Sequence, residues 1–130
     1  MKKTIQIAIP CGVNSESFIE LLVGSIEQTV SGEYDIELLL GINMHGVNIK
    51  FLEEVKTKYP IKFVQDTLVT QGSSVTHGKI LDKLFSEMNA EYGMVLDCDT
   101  AFLCKDWDKK LTSLLNDETI IIGTEYGGDD

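Results

Sequence analysis

Arginine is absent from this chain of 130 residues, and 11 lysines face 21 acids, which gives a formal charge of −10. A protein that grips nucleic acid needs a surplus of cationic side chains to replace the counterions of the phosphate backbone, so nucleic acid is excluded as an expected partner. The three cysteines, Cys11, Cys98 and Cys104, are odd in number and form no C-x-x-C pair. That spacing suggests neither a disulfide framework nor a zinc knuckle, and a reducing, cytoplasmic location is the expectation. No apolar run approaches the length of about 18 residues that a membrane span requires. The opening MKKTIQIAIP has the lysines of a signal peptide, but its apolar stretch is broken by Gln6 and stops at Pro10, so it reads as a strand.

What is present is the composition of a packed globular domain. Hydrophobic residues make up 43 % of the chain and prolines number only 2, and a chain of this length buries enough surface to need no disulfide or structural metal. One domain spanning residues 1–130 is expected, since no repeat, low-complexity run or linker interrupts the sequence.

Ile5, Ile7 and Ile9 alternate, which predicts a buried first strand ended by Pro10 and Gly12. Ser17 and Glu20 have capping-box spacing for a helix whose inward stripe is Phe18, Leu21, Leu22, Ser25, Ile26 and Thr29. Gly32 closes that unit. Ile36 to Ile42 is short and continuously apolar, as in a strand covered on both faces. Asn48 caps a second helix with Phe51, Leu52, Val55 and Tyr59 inward, stopped by Pro60 before a third strand at Ile61 to Val64. After the polar stretch Thr70 to Thr76, a third helix carries Ile80, Leu81, Leu84, Phe85 and Met88 on one face. Gly93 to Asp97 is a fourth strand. Asp106 can cap a fourth helix with Trp107, Lys110, Leu111, Leu114 and Leu115 inward, and Thr119 to Thr124 is a fifth strand.

Strands alternating with helices predict an α/β fold, a Rossmann-like and mostly parallel sheet of about five strands with helices on both faces. Ligands of such sheets bind beyond the carboxyl ends of the strands, where the strand order reverses. The informative residues are therefore Pro10 to Asn14, Asn43 to His45, Asp66 to Thr70 and Asp97 to Thr100. His45 reads as a turn residue. Asp97 and Asp99 leave a buried strand at this edge, two positions apart and on the same side of an extended chain. Two such oxygen donors suit a hard cation, Mg²⁺ or Mn²⁺, that keeps positions open for the oxygens of a substrate diphosphate.

A chain this rich in aspartate yields about one D-x-D by chance, and here there are two. Asp106 and Asp108 sit at the start of a predicted helix, where capping and the helix dipole favour acids, so a structural role is the expectation for them. Asp97 and Asp99 have no such account, because acids after a buried strand destabilise the fold unless something pairs them. Cys98, between them, faces the core rather than reacting, since neighbouring carboxylates raise a thiol pKa. Cys11 is a small residue in a tight loop with no sign of a nucleophile's setting. Lys79 opens a helix as a surface lysine would, whereas His77 sits at a polar approach to a helix start, where anions also bind.

Over its whole length the sequence resembles the nucleotide-sugar-binding half of a family 2 glycosyltransferase with the GT-A fold. The opening strand, then Ser25-Ile26 and Gln28-Thr29, resembles that family's first strand and the S-I-x-x-Q-T end of its helix, with one residue fewer between the dipeptides. Glu91-Tyr92-Gly93-Met94-Val95-Leu96-Asp97-Cys98-Asp99 resembles its E-Y-x-x-x-L-D-x-D block, and Trp107 and Leu111 resemble the helix that follows. The resemblance implies that Pro10, Cys11 and Gly12 line a base pocket, that Asp97 contacts the ribose or the metal, and that Asp99 holds the metal bridging the diphosphate. Gly12-Val13 stand where the family has Tyr-Asn, and Ile42-Asn43 where it has Asp-Asp, which leaves Asn43 to meet the base. His77-Gly78 stand where it often has Arg-Asn, so diphosphate contact falls to the metal, Lys79 or His77.

The implied function is sugar transfer from a UDP- or GDP-sugar, with Mn²⁺ or Mg²⁺ as cofactor. Pro10, Cys11, Gly12, Asn43, His77, Lys79, Asp97 and Cys98 are the donor-binding candidates, and Asp97 and Asp99 the metal ligands. The family's catalytic base belongs to an acceptor-binding half beyond the metal motif, and that half is expected to be missing here. Exposed strand edges would then favour a homo-oligomer. Two other readings compete: a non-catalytic nucleotide-binding or interaction module derived from such an enzyme, and an aspartate-nucleophile phosphatase, whose D-x-D also follows a strand.

Overall fold

The computed structural model describes residues 2–123. Four strands, β1 (Thr4–Pro10), β2 (Asp35–Met44), β3 (Ile61–Val69) and β4 (Tyr92–Val95), form one sheet in the order β3-β2-β1-β4. All neighbours are parallel. The helices are α1 (Glu16–Thr29), α2 (Ile49–Glu53), α3 (Ser74–Glu87) and α4 (Trp107–Thr112). No helix among the described residues is long and apolar enough to cross a membrane.

The expected alternation of strand and helix is therefore found, with four strands among the described residues in place of five. Residues 119–123 do not join the sheet, and Thr124 lies outside the described residues. The run is rich in β-branched side chains, but Ile120 and Ile121 are 76 % and 82 % exposed. Strand propensity expresses itself only where a neighbouring edge and a buried face are available.

Side-chain alternation splits the sheet between two cores. Ile5, Ile7 and Ile9 of β1 and Ile36, Leu38, Leu40 and Ile42 of β2 pack with α1, Leu52 and Trp107 on one face. Ala8 and Leu39 face the other way, onto Val64 and onto Ile80 and Leu84 of α3. Gly41 lets α3 approach closely, since a Cβ there would stand 2.8 Å from Ile80 Cγ1 and from Leu84 Cδ1. Gln6 is also buried on a central strand, and its side chain explains how. Its Oε1 accepts from the N–H groups of Asn89 (2.7 Å) and Ala90 (2.9 Å), while Nε2 donates to Asn89 Oδ1. The turn into β4 is thus tied to β1, which sets where the residues after β4 emerge.

Several boundaries differ from the pattern-based expectations, each for a physical reason. α1 starts after Ser15, beyond Asn14 at φ 62°, rather than at Ser17. It buries Ile19 and Val23 with Leu22, Ile26 and Thr29, leaving Phe18 49 % and Leu21 68 % exposed. Apolar residues run almost right around this helix, so periodicity marks the middle of the stripe but not its flanks. α2 ends at Glu53, and Val55 and Tyr59 pack on the core from the segment that follows. β3 runs on to Val69 past an irregularity opposite Ile42 and Met44. Its polar residues suit an edge strand.

α3 begins at Ser74, with the Ser73 side chain accepting from Thr76 N–H, so His77, Gly78 and Lys79 lie within the helix and not before it. Phe85 is exposed. At α4, Asp106 makes no side-chain cap bond and has φ 59°. The structural partner is Asp108, whose carboxylate is buried and accepts from Ser31 N–H (3.0 and 3.2 Å) and Ser31 Oγ (2.7 Å). α4 ends before Leu114, which is exposed, as is Lys110.

Candidate functional site

From β1 the chain moves to β2 and β3 on one side and returns to place β4 on the other. Strand order thus reverses between β1 and β4, and at such a point two loops diverge beyond the strand ends and leave a crevice. A cavity of about 800 Å³ lies there. Its wall is drawn from four places: the end of β1 and its loop (Pro10 to Ser15), the end of β2 (Asn43, Met44), the start of α3 (Gly72, Ser73, Thr76, His77, Ile80) and the turn after β4 (Asp97, Cys98, Asp99), with Phe18 of α1 beside them.

Of the candidates named from sequence, Pro10, Cys11, Gly12, Asn43, His77, Asp97, Cys98 and Asp99 all line this cavity. Lys79 does not; it is exposed on α3 outside the wall. The segment Asp66 to Thr70 also contributes nothing, because most of it belongs to β3 on the far edge of the sheet. Ser73, Thr76 and Phe18 join the wall without being candidates from sequence. The stretch Thr70 to Thr76 reads in sequence as the approach to α3 and not its first turn, and Phe18 reads as core because aromatic residues at helical spacing usually belong there.

The wall is built stiffly on one side. Cys11 N–H donates to Gly41 O at 2.8 Å, prolonging the β1–β2 pairing past Pro10, and Ser15 Oγ donates to Gly12 O at 2.6 Å. Asn43 is buried, and its Nδ2 donates to Thr76 O at 2.8 Å. That bond fixes the end of β2 to the first turn of α3 and uses the amide's donor side, leaving Oδ1 as the acceptor it can offer a ligand. Cys11 is buried, and its thiol is pushed up to about 12 by burial first and then by the nearby Cys98 and Glu16. It stays protonated, as a wall residue and not a nucleophile.

The β4 side is more open. Leu96 N–H donates to Ala8 O at 3.0 Å, one step beyond β4, and Thr100 N–H closes the turn onto Asp97 O at 3.2 Å. Asp97 and Asp99 are exposed, and among the described residues neither carboxylate is engaged by a hydrogen bond or an ion pair. Among the described residues no three His, Cys, Asp or Glu side chains form a ready-made metal cage. Two free carboxylates fit a hard cation that takes its other ligands from water and a bound phosphate, and do not fit an all-protein metal centre. Electrostatics point the same way: among the described residues the wall carries no lysine, and His77 is its one basic side chain. An anionic ligand beside two acids would need a cation to offset the repulsion.

No family model matches the chain, and no curated protein matches it in sequence. Its fold is similar to that in the crystal structure of S. aureus TarS 1-349, a glycosyltransferase, with a TM-score of 0.63 and 19 % identity over 87 % of this chain. The chain spans 32 % of that structure. At this identity the likeness is one of fold: an α/β domain with a parallel four-stranded sheet, like a glycosyltransferase domain.

Proposed function

We propose that the cavity between β1 and β4 holds the nucleoside diphosphate sugar donor of a glycosyltransferase, with Mn²⁺ or Mg²⁺ at Asp97 and Asp99. The observation that carries this reading is the meeting of Asp97 and Asp99, unpaired among the described residues, with the ends of β1 and β2 on one cavity wall at the switch point. The glycosyltransferase-like fold agrees with it.

Each part of the wall has a chemical task in this reading. The β1 loop, Pro10 to Gly12, held by the Cys11 N–H bond to Gly41 O, lines the part of the wall against which a planar base would lie. Asn43 presents an oriented acceptor to a base N–H, with its amide already fixed on Thr76. His77 stands near the α3 start, where a phosphate oxygen would find a donor. Asp97 and Asp99 would hold the metal, which when bound supplies positive charge to a departing diphosphate.

The binding test is a thermal melt with Mn²⁺ and either UDP-glucose or GDP-mannose. The donor should raise the melting temperature only when metal is present, and Asp99→Ala should abolish the rise. No shift with any nucleotide tested, with or without metal, would remove the proposal.

A second reading is favoured by one feature of the wall. Among the described residues that line the cavity, Asp97 and Asp99 are the only acids, and both are assigned to metal, so no carboxylate remains to deprotonate an acceptor hydroxyl. A donor-binding module without transfer activity fits that inventory. Release of nucleoside diphosphate above a metal-only background would argue against it.

A further inference from the structure

We propose that Phe18 is the face on which the nucleobase of the bound nucleotide stacks, and that Gly12 is bare so that the base can enter. The inference rests on the donor reading above and names the residues that grip the uncharged end of the ligand.

Charge divides the wall of the cavity. Its β1 and α1 part, Pro10 to Ser15 with Phe18, carries no charged side chain, whereas the turn after β4 brings both acids. A nucleoside diphosphate is divided in the same way, with a flat neutral base at one end and its phosphates at the other. Phosphates drawn to a cation at Asp97 and Asp99 leave the base to the uncharged part. Phe18 is the one aromatic side chain there among the described residues that line the cavity.

Core packing does not account for this ring. α1 is anchored by Ile19, Leu22, Val23 and Ile26, all buried, while Phe18 is half exposed. Leu21 is exposed on the same helix but takes no part in the wall. Position and not exposure alone therefore singles out Phe18, whose flat apolar surface a base can cover by offset stacking.

The backbone beneath the ring is held firmly. Ser15 is buried, its Oγ donates to Gly12 O at 2.6 Å, and its carbonyl accepts from Ile19 N–H at 3.0 Å. One serine thus ties the loop at Gly12 to the turn that carries Phe18, so little order remains to be imposed when a ligand binds. Gly12 has no local reason to be glycine: its φ is not positive, and a Cβ would meet nothing within 4 Å. A larger side chain would project into open space at the wall, where a base lying on this loop needs room.

The test is calorimetry on the full chain with Mn²⁺ and two probes: UDP, which carries a base, and methyl diphosphate, which carries none. Phe18→Leu keeps an apolar side chain and removes the ring. It should weaken UDP by about 5- to 100-fold, the range for losing one base–aromatic stack, and leave methyl diphosphate unchanged. Phe18→Tyr should bind UDP as the parent does, and Gly12→Leu should weaken UDP alone. Phe18→Trp adds a readout independent of affinity. Its indole emission should change on saturation with UDP and not with methyl diphosphate, against the constant signal of Trp107, which is buried and stacked on Phe102. Equal UDP affinity in the parent and Phe18→Leu, a loss that extends equally to methyl diphosphate, or an indole signal indifferent to UDP would overturn the stacking role and leave the donor reading standing. UDP that fails to bind the parent would overturn both.

Discussion

The chain's two D-x-D sequences should respond to substitution in opposite ways, because one is engaged in holding the fold and the other is not. Asp108 is 1 % exposed, and its two oxygens accept three contacts from Ser31, two from the N–H and one from Oγ. Asp108→Asn keeps one oxygen and turns an NH₂ toward the same donors. At least one charge-assisted bond is lost and a buried donor is left facing another, a loss of about 2–3 kcal/mol. For a domain of this size about 1 kcal/mol moves the melting temperature by about 3–5 °C, so the variant should melt about 6–15 °C lower. Asp99 is exposed and without side-chain bonds among the described residues, so Asp99→Ala should stay within about 0.5 kcal/mol, or roughly 2 °C, of the parent. The ligand response should reverse the order. At a donor concentration of 100 times Kd, binding adds about 2.7 kcal/mol, which should appear as a rise of about 8–13 °C in the parent and in Asp108→Asn, and vanish in Asp99→Ala. Scanning fluorimetry on the three proteins, with and without Mn²⁺ and donor, reads both effects. An Asp108→Asn protein melting within 2 °C of the parent would refute the structural assignment, and an Asp99→Ala protein keeping the full ligand shift would refute the metal assignment.

The glycines give a second contrast: Gly41→Ala should destabilise by about 1–3 kcal/mol by pushing Ile80 and Leu84 off the sheet, whereas Gly24→Ala on α1 meets nothing within 4 Å and should stabilise by about 0.5–1 kcal/mol. Urea midpoints for the two variants check this directly. Cys11 sets a pH dependence: its thiol rises from the usual 9.0 to about 12 on folding, so above about pH 9 the unfolded chain ionises while the folded one does not. Stability should therefore fall as pH rises from about 9 toward 12, by up to about 1.4 kcal/mol per pH unit from this group. Cys11→Ala should remove that part of the slope in urea titrations at pH 8 and 10.5, and an unchanged slope would show that the thiol ionises freely in the fold.

The site was legible in the sequence to the extent that its residues sit at strand ends. Pro10, Asn43 and Asp97 each follow a short apolar run, and the rule that α/β sheets bind beyond their strands selects them from the sequence. Asp66 to Thr70 met the same rule and failed, because β3 continues through polar residues that an exposed edge tolerates and then lies too far from the reversal between β1 and β4. Lys79 failed for a different reason. A helix begun at Ser74 turns Thr76 and His77 to the cavity and carries Lys79 away from it, and a shift of a few residues at a helix start rotates every later side chain about the axis.

Gln6 and Asp108 show what a linear pattern cannot reveal. Each is a buried polar residue whose partners lie far along the chain, at Asn89 and Ala90 for one and at Ser31 for the other. In sequence, Gln6 is a flaw in an apolar run and Asp108 one more acid near a helix start. The sequence alone determined the alternation of strand and helix, the two-sided burial of β1 and β2 and the acidic turn after β4, since each follows from the spacing of neighbours along a few residues. Only the tertiary structure decided the order β3-β2-β1-β4, which D-x-D is left unbonded, and that residues 119–123 stay outside the sheet. Those outcomes depend on which distant segments meet, and the free energy of such meetings is written in no single stretch of chain.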